Sequence, residues 1–396
     1  MPEPILIAQN GNRTQGYRAK RIWTMTPGRP FLDDGVLLVD GYGQILEIGT
    51  YSRVKGSLPG TVTDLGPVSL APGLINCHTH LEMSLSPCTA VLGQGFEEWA
   101  AGIISQQFQE PTEAGLGSLV SQMESSGTAF VCDISSRYPI RVATTLQRFN
   151  MQFHLCYEFF GFKQTKGQQL TWPQDLFSKI PDDLISAAGH ALYSTHPSML
   201  QLAKAWDSRK NRTFSIHLAE HTGELEFLAT GRGRFADMLY QRVAPQNFVP
   251  PGISPVAYAD QLGLLDESTL AVHCVHVTDE DLEILLRTRP SVCLCPRSNA
   301  AIGVGRAPWE KFIQAGVPLC LGTDGLCSNE DLDLFQEALF LARNATIPLT
   351  QHDLLQYMTT NPARLFGKGR FGALTPGKQA RVSTLPHELE SLKETR

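Results

Sequence analysis

Apolar residues recur along this chain in two patterns. Up to about residue 67 they form short runs broken by turns: Arg21-Ile22-Trp23-Thr24, Gly35-Val36-Leu37-Leu38-Val39 and, after Gly41-Tyr42-Gly43, Gln44-Ile45-Leu46-Glu47-Ile48. Such runs predict β-hairpins. From about Ser69 onward, near-continuous apolar runs of strand length alternate with helical segments, as a parallel sheet covered on both faces requires. The candidate strands are Leu74-Asn76, Thr128-Asp133, Gln152-Phe159, Leu184-Gly189, Phe214-Leu218, Thr269-His273, Ser291-Cys295 and Pro318-Leu321. Eight in order favour a (β/α)8 barrel. After a helical His352-Leu365, a turn at Gly372-Lys378 leads to Ala380-Leu385, apolar enough for a strand that joins the N-terminal ones. The expected fold is therefore α/β: a TIM-like barrel over residues 68–370, with a small composite β-sandwich from residues 1–67 and 371–396. The charged tail Glu388-Arg396 is expected to fray.

Composition narrows the class. The 396 residues are 42% hydrophobic and 18% charged with 34 glycines, an ordinary globular mix that leaves room for a barrel of roughly 250 residues and a smaller companion. A net charge of -6 argues against a sequence-independent nucleic-acid binder, which needs a basic surface. Nine scattered cysteines read as reduced thiols rather than a disulfide framework. The N-terminus lacks a basic region followed by a sustained apolar one, and no stretch approaches the roughly 18 apolar residues of a membrane span. A cytoplasmic enzyme is expected.

The candidate chemistry begins at Asn76-Cys77-His78-Thr79-His80, where two histidines one residue apart end an apolar run. Residues i and i+2 of a strand share a face, so both imidazoles can point at one metal. His217, near the end of Phe214-Leu218, and Asp324, in Leu319-Cys320-Leu321-Gly322-Thr323-Asp324, lie where other predicted strands run out. In a parallel barrel these ends open on one face. Three imidazoles and a carboxylate suit Zn²⁺ or Fe²⁺ with water as a further ligand. Glu220, three residues after His217, and His273, at the end of its own strand, have the positions that proton transfer needs. The alternative for Glu220 is a carboxylate stabilising a helix N-terminus. His276 falls on the loop and suits packing better than catalysis.

His78-Thr79-His80, His217-Leu218-Ala219-Glu220, His273-Cys274-Val275-His276 and Leu321-Gly322-Thr323-Asp324-Gly325 together resemble the amidohydrolase superfamily. Within it they are similar to the branch of deaminases and chlorohydrolases that includes S-adenosylhomocysteine, guanine and aminodeoxyfutalosine deaminases. The likeness runs from about Gly35 to Gly377 and includes Ala71-Pro72-Gly73-Leu74-Ile75-Asn76. It implies one divalent metal, held by His78, His80, His217 and Asp324. It further implies that Glu220 binds and protonates a ring nitrogen, His273 positions the attacking water, and Asp324 passes that water's proton to the leaving amine. Lys378-Gln379-Ala380-Arg381-Val382 departs from the family's acidic pattern in the last strands.

Two-metal relatives carry a bridging lysine at strand three or four. Ile185-Thr195 has none, and Lys163 follows strand three too far out, so a one-metal deaminase is favoured. The resemblance makes His190, in Gly189-His190-Ala191-Leu192-Tyr193, a substrate contact, against a plain loop histidine. Arg297, in Cys295-Pro296-Arg297-Ser298-Asn299, reads as a bidentate carboxylate clamp or as an ordinary ion pair. Glu82 accepts ribose hydroxyls or orients a ligand histidine. Phe96 or Trp99 stacks on a base or packs a helix. The expected substrate is a small adenosine-type nucleoside, with 6-amino-6-deoxyfutalosine of menaquinone biosynthesis leading. Alternatives are S-adenosylhomocysteine, methylthioadenosine, guanine, or displacement of chloride or an alkylamine from a triazine-like ring. Relatives of this architecture often dimerise, so a homodimer is allowed.

Overall fold

A computed structural model describes residues 14–56, 58, 62–86, 90–106, 108–162 and 169–395. Lys163 and Arg396 lie outside them. The chain divides into two compact units, one of residues 1–76, 121–130 and 333–396, the other of residues 77–120 and 131–332.

The first unit carries β1 (Gln15–Thr26), β2 (Arg29–Val39), β3 (Ile45–Thr50), β4 (Val62–Asp64) and β5 (Ser69–Pro72). β1 and β2 form the expected hairpin across Pro27-Gly28, where φ is +74° at the glycine. With the last strand, Val382–Thr384, they make a six-stranded mixed sheet from both chain ends, in the order last strand, β5, β1, β2, β3, with β4 beside β1. Ile22, Leu37, Val39, Ile45, Leu70 and Leu374 bury its apolar face, the arrangement expected of the composite sandwich.

The expected helix His352-Leu365 is two helices, Gln351–Met358 and Thr360–Leu365. Pro362 explains the break, because its ring clashes with the carbonyl four residues back and it has no N–H to donate there. The tail also differs from expectation. Leu389 is fully buried, the Gln351 side-chain amide donates to the carbonyls of Glu390 and Leu392, and Arg21 pairs with Glu394 at 2.9 Å. Backbone and core contacts tie the segment down despite its charge.

The eight remaining strands are β6 (Leu74–Thr79), β7 (Thr128–Ser135), β8 (Gln152–Phe159), β9 (Ile185–Ala191), β10 (Phe214–Leu218), β11 (Thr269–His273), β12 (Ser291–Leu294) and β13 (Leu319–Leu321). They form one sheet in sequence order from β6 to β13. Every residue of β6, β7, β10 and β11 is buried, as strands covered on both faces must be. The Asp324 N–H donates to the His78 carbonyl at 3.0 Å, bringing the two edges together into a nearly closed (β/α)8 barrel. Gly322 makes that approach possible. A Cβ there would lie 2.7 Å from His78 Cβ and 2.9 Å from Cys293 Sγ. Gly322→Ala should therefore cost about 1–3 kcal/mol through overpacking. Denaturant titration checks this; an unchanged midpoint would show that the junction has slack.

Candidate metal centre and active site

The strand ends β6, β10, β11 and β13 place His78, His80, His217, His273 and Asp324 around one buried point. One ring nitrogen from each of His78, His80 and His217 lies within 4.8 Å of the others, and His80 Nε2 is 3.3 Å from His217 Nε2. Asp324 Oδ1 is 3.6 Å from the Nε2 atoms of both His78 and His80. Its other oxygen accepts from Ser298 Oγ at 2.7 Å and Ser328 Oγ at 2.8 Å, so the carboxylate cannot turn away. Asp133 in β7 steadies the first ligands from beside them. It accepts from the Leu81 N–H at 2.9 Å and Thr79 Oγ1 at 3.1 Å.

This donor set fits a divalent cation. Burial pulls His80 down to about 3, with His78 adding to the effect, and holds His217 well below the ordinary imidazole range. Their lone pairs are thus free of protons at neutral pH, as metal ligation requires. Burial alone would raise the Asp324 carboxyl, but the hydrogen bond from His78 and the histidines around it hold it well below the usual range. Three imidazole nitrogens and one carboxylate with oriented partners suit zinc or iron.

The acid–base candidates converge on the same point. Glu220 Oε1 is 3.6 Å from His273 Nε2, and His273 Nδ1 is hydrogen-bonded to Asn299 Oδ1 at 2.9 Å. Burial pulls His273 down to about 4 and pushes the Glu220 carboxyl well up, helped by the charges of Asp324 and Glu224. The helix N-terminal role belongs instead to Glu224. It accepts from the Glu220 N–H at 2.9 Å, in the first turn of the helix Thr222–Thr230. Ala219, His273, Cys274 and Asp324 all have positive φ, between 47° and 73°. Non-glycine residues in this region carry strain, which tends to gather at functional sites. His276 hydrogen-bonds the Val304 carbonyl at 2.8 Å, a packing role.

Above these groups opens a cavity of about 330 Å³, within the usual range for a small-molecule site. Its walls are mostly apolar: Met83, Phe96, Trp99, Ile103, Phe108 and Phe235 are among them. His190 lines it, with Nδ1 2.5 Å from Ser194 Oγ, and burial pulls its pKa down to about 4. Trp99 lines it too, its Nε1 donating to the Cys327 carbonyl at 2.9 Å, while Phe96 stacks on His221. Glu158, on β8, also faces it. This carboxyl is buried, raised to about 8 by desolvation, and its Oε1 has no hydrogen-bond partner among the described residues.

Two expectations meet a different arrangement. Arg297 is not among the residues lining the cavity; its Nη1 and Nη2 bind Asp331 at 2.6 and 3.1 Å. An acidic residue 34 positions on captured the guanidinium, which motif spacing does not reveal. Glu82 does not face the cavity either. It accepts the backbone N–H groups of Ser136, Arg137 and Tyr138 at 2.7 to 3.2 Å, which commits its carboxylate to that turn. Sequence reasoning passed over Ser298 and Asn299, which stand beside Arg297 in the quoted segment. It also missed Ser328, four residues beyond Asp324 in the turn that follows, and Glu158, visible only as an acidic residue in an apolar strand.

A parallel barrel presenting imidazoles, a carboxylate and an acid–base pair at its strand ends is the scaffold of a metal-assisted hydrolase. Residues 69–393 match the amidohydrolase family, and the chain belongs to that family. It is 30% identical, over 389 residues, to 5-methylthioadenosine/S-adenosylhomocysteine deaminase of Syntrophobacter fumaroxidans, covering 91% of this chain and 81% of the relative. Its fold is similar to Helicobacter pylori aminofutalosine deaminase in complex with methylthio-coformycin, with a TM-score of 0.80 at 21% identity over 96% of this chain and 97% of that one. An adenosine deaminase from Xanthomonas campestris with bound zinc gives a TM-score of 0.75 at 22% identity over 94% and 84% of the two chains.

Because Arg297 is tied to Asp331, Arg297→Met should leave the KM for a carboxylated nucleoside where it is. It should cost no more than about 1 kcal/mol, the usual upper worth of a partly exposed ion pair. Steady-state kinetics and denaturation measure the two effects; a raised KM would return Arg297 to the substrate.

Proposed function

We propose that this protein hydrolytically deaminates an adenosine-type nucleoside, releasing ammonia, with 6-amino-6-deoxyfutalosine as the leading substrate. The observation that carries the reading is the meeting of Glu220 and His273 at 3.6 Å beside the His78, His80, His217 and Asp324 cluster, under one apolar cavity. A bound divalent cation would supply Lewis acidity there, lowering the pKa of water from about 15.7 toward about 7. Glu220 reaches the ring nitrogen beside the amino-bearing carbon and hands it a proton. His273, its Nδ1 held by Asn299, turns Nε2 toward the attacking water and orients it. Asp324, fixed by two serine hydroxyls, takes the water's proton and returns it to the departing amine. The C–N bond breaks and ammonia leaves, while the added oxygen's second proton passes to Glu220 as the C=O forms, so water supplies both protons and Glu220 ends protonated as it began.

The Syntrophobacter relative, a deaminase of adenosine nucleosides by name, supports the purine class. The apolar walls favour a nucleoside whose 5′ substituent is bulky and apolar over adenosine itself, which has only a hydroxyl to place there. An aromatic arm suits Met83, Phe96, Ile103 and Phe108.

Glu220→Gln should keep its metal content while kcat falls by at least about 10², the lower end of what a placed proton donor contributes. Near-normal turnover would remove Glu220 from the mechanism. Dialysis against a chelator should abolish ammonia release, and adding back zinc or iron should restore it in proportion to metal bound. Full activity in metal-free protein would refute the assignment of the histidine cluster.

A further inference from the structure

The chain carries a net charge of -6, yet residues 354–387 hold Arg364, Lys368, Arg370, Lys378 and Arg381 and not one Asp or Glu. The run Lys378-Gln379-Ala380-Arg381, which departs from the family's acidic pattern, belongs to this basic stretch. Part of the stretch lines a cleft of about 460 Å³ in the first unit, which shares no wall residue with the catalytic cavity. The tip of the β1–β2 hairpin, from Met25 to Pro30, forms one side of it, and the helices Gln351–Met358 and Thr360–Leu365 form another. Arg364 and Lys378 are walls of this cleft, and no carboxylate is.

These two cations are uncommitted. Neither has an ion pair among the described residues, whereas Arg381 has the charge of Glu124 beside it and Lys368 lies over the Phe130 ring, 5.9 Å from the centroid. Asp353, the nearest acid in sequence, is spent on its own helix, accepting from the Thr350 N–H at 3.1 Å and Oγ1 at 2.8 Å. Lys378 donates to the Phe371 carbonyl at 3.4 Å, and burial lowers its pKa with no carboxylate acting against it. Neutral donors stand beside the charged ones. Gln356 lies one helical turn from His352, and Thr360 one turn from Arg364, so each pair shares a helix face and all four line the cleft. The side chains of Gln356 and Thr360 make no hydrogen bond among the described residues.

We propose that this cleft binds a phosphoryl group, free or carried on a small metabolite, between Arg364 and Lys378. A phosphoryl group bears a charge of about −1.5 to −2 at pH 7, which matches two cations, and its oxygens can also take the amide and hydroxyl donors. A carboxylate has one charge and two oxygens, leaving one cation and the neutral donors unanswered. A concave cleft of this volume admits a small molecule, whereas a nucleic-acid backbone is met by an extended basic face.

Isothermal titration calorimetry of the full chain with inorganic phosphate, uridine 5′-monophosphate, uridine and acetate tests this. At least one of the two phosphates should bind saturably with a Kd of about 1 mM or tighter, and uridine and acetate at least about tenfold more weakly. The tighter of the two phosphates identifies the source, free or esterified. Arg364→Gln and Lys378→Gln should each weaken that binding at least about tenfold, as loss of a charge-assisted hydrogen bond implies, and Arg364→Lys should recover part of it. The Arg364 side chain is exposed, so its replacement leaves the fold in place, which circular dichroism checks. Failure of both phosphates to saturate in this range overturns the site. So does acetate or uridine binding as tightly as the phosphates, or an affinity unchanged in both glutamine variants.

Discussion

Asp324 is the point on which both barrel and site depend. Its N–H closes the last strand end onto the first by donating to the His78 carbonyl, while one carboxylate oxygen faces His78 and His80 and the other is held by Ser298 and Ser328. The residue adopts φ of +59° to do this, a conformation that costs a non-glycine residue about 1–2 kcal/mol. Two hydroxyl donors and one backbone bond offset that cost. Closure of the sheet and placement of the charge are therefore one event, and neither can be shifted without the other.

Around this carboxylate the same burial acts in opposite directions on acids and bases. It pulls His80, His190 and His273 down to between about 3 and 4, and pushes Glu158 and Glu224 up to about 8. The result is a pocket in which those imidazoles resist protonation and those carboxyls resist ionisation, while Asp324 is held as an anion. Such a pocket is poor in charge and rich in lone pairs. A cation entering it meets ligands that need not lose protons, and then becomes the largest charge in the site, drawing the nearby carboxyls toward ionisation.

Much of this was legible in the amino-acid order because burial on both faces writes itself as continuous apolar runs. All eight barrel strands lie where those runs fall, with no end more than three residues off and three strands coinciding at both ends. The histidines and Asp324 were legible because a strand end and a polar side chain coincide at each. What stayed hidden depends on pairing across the fold. Arg297 and Asp331 are 34 positions apart, and only their approach reveals that one neutralises the other. Glu82 reads as a free acid two residues past a ligand until the Ser136–Tyr138 turn is seen to consume it. The break at Thr359, by contrast, was written plainly in Pro362, and the tail's order was concealed because charge outweighs the single buried Leu389 in its composition.

Chemistry and recognition are also separated along the strand order. The ends of β6, β10, β11 and β13 hold the groups proposed to move protons or bind metal, whereas the segments after β6, β7 and β9 supply Trp99, Phe108, Arg137 and Tyr193 to the cavity walls. A barrel tolerates change in those connecting segments because its own strands are packed independently of them. Motifs at the strand ends therefore report a reaction class, and say little about the outer half of the substrate. Arg297 and Arg137 make the point together: the first belongs to a diagnostic string and is spent on Asp331, while the second belongs to none and stands over Phe108 without an ion pair among the described residues. Which cation is left unpaired at the rim is a property of packing rather than of sequence position.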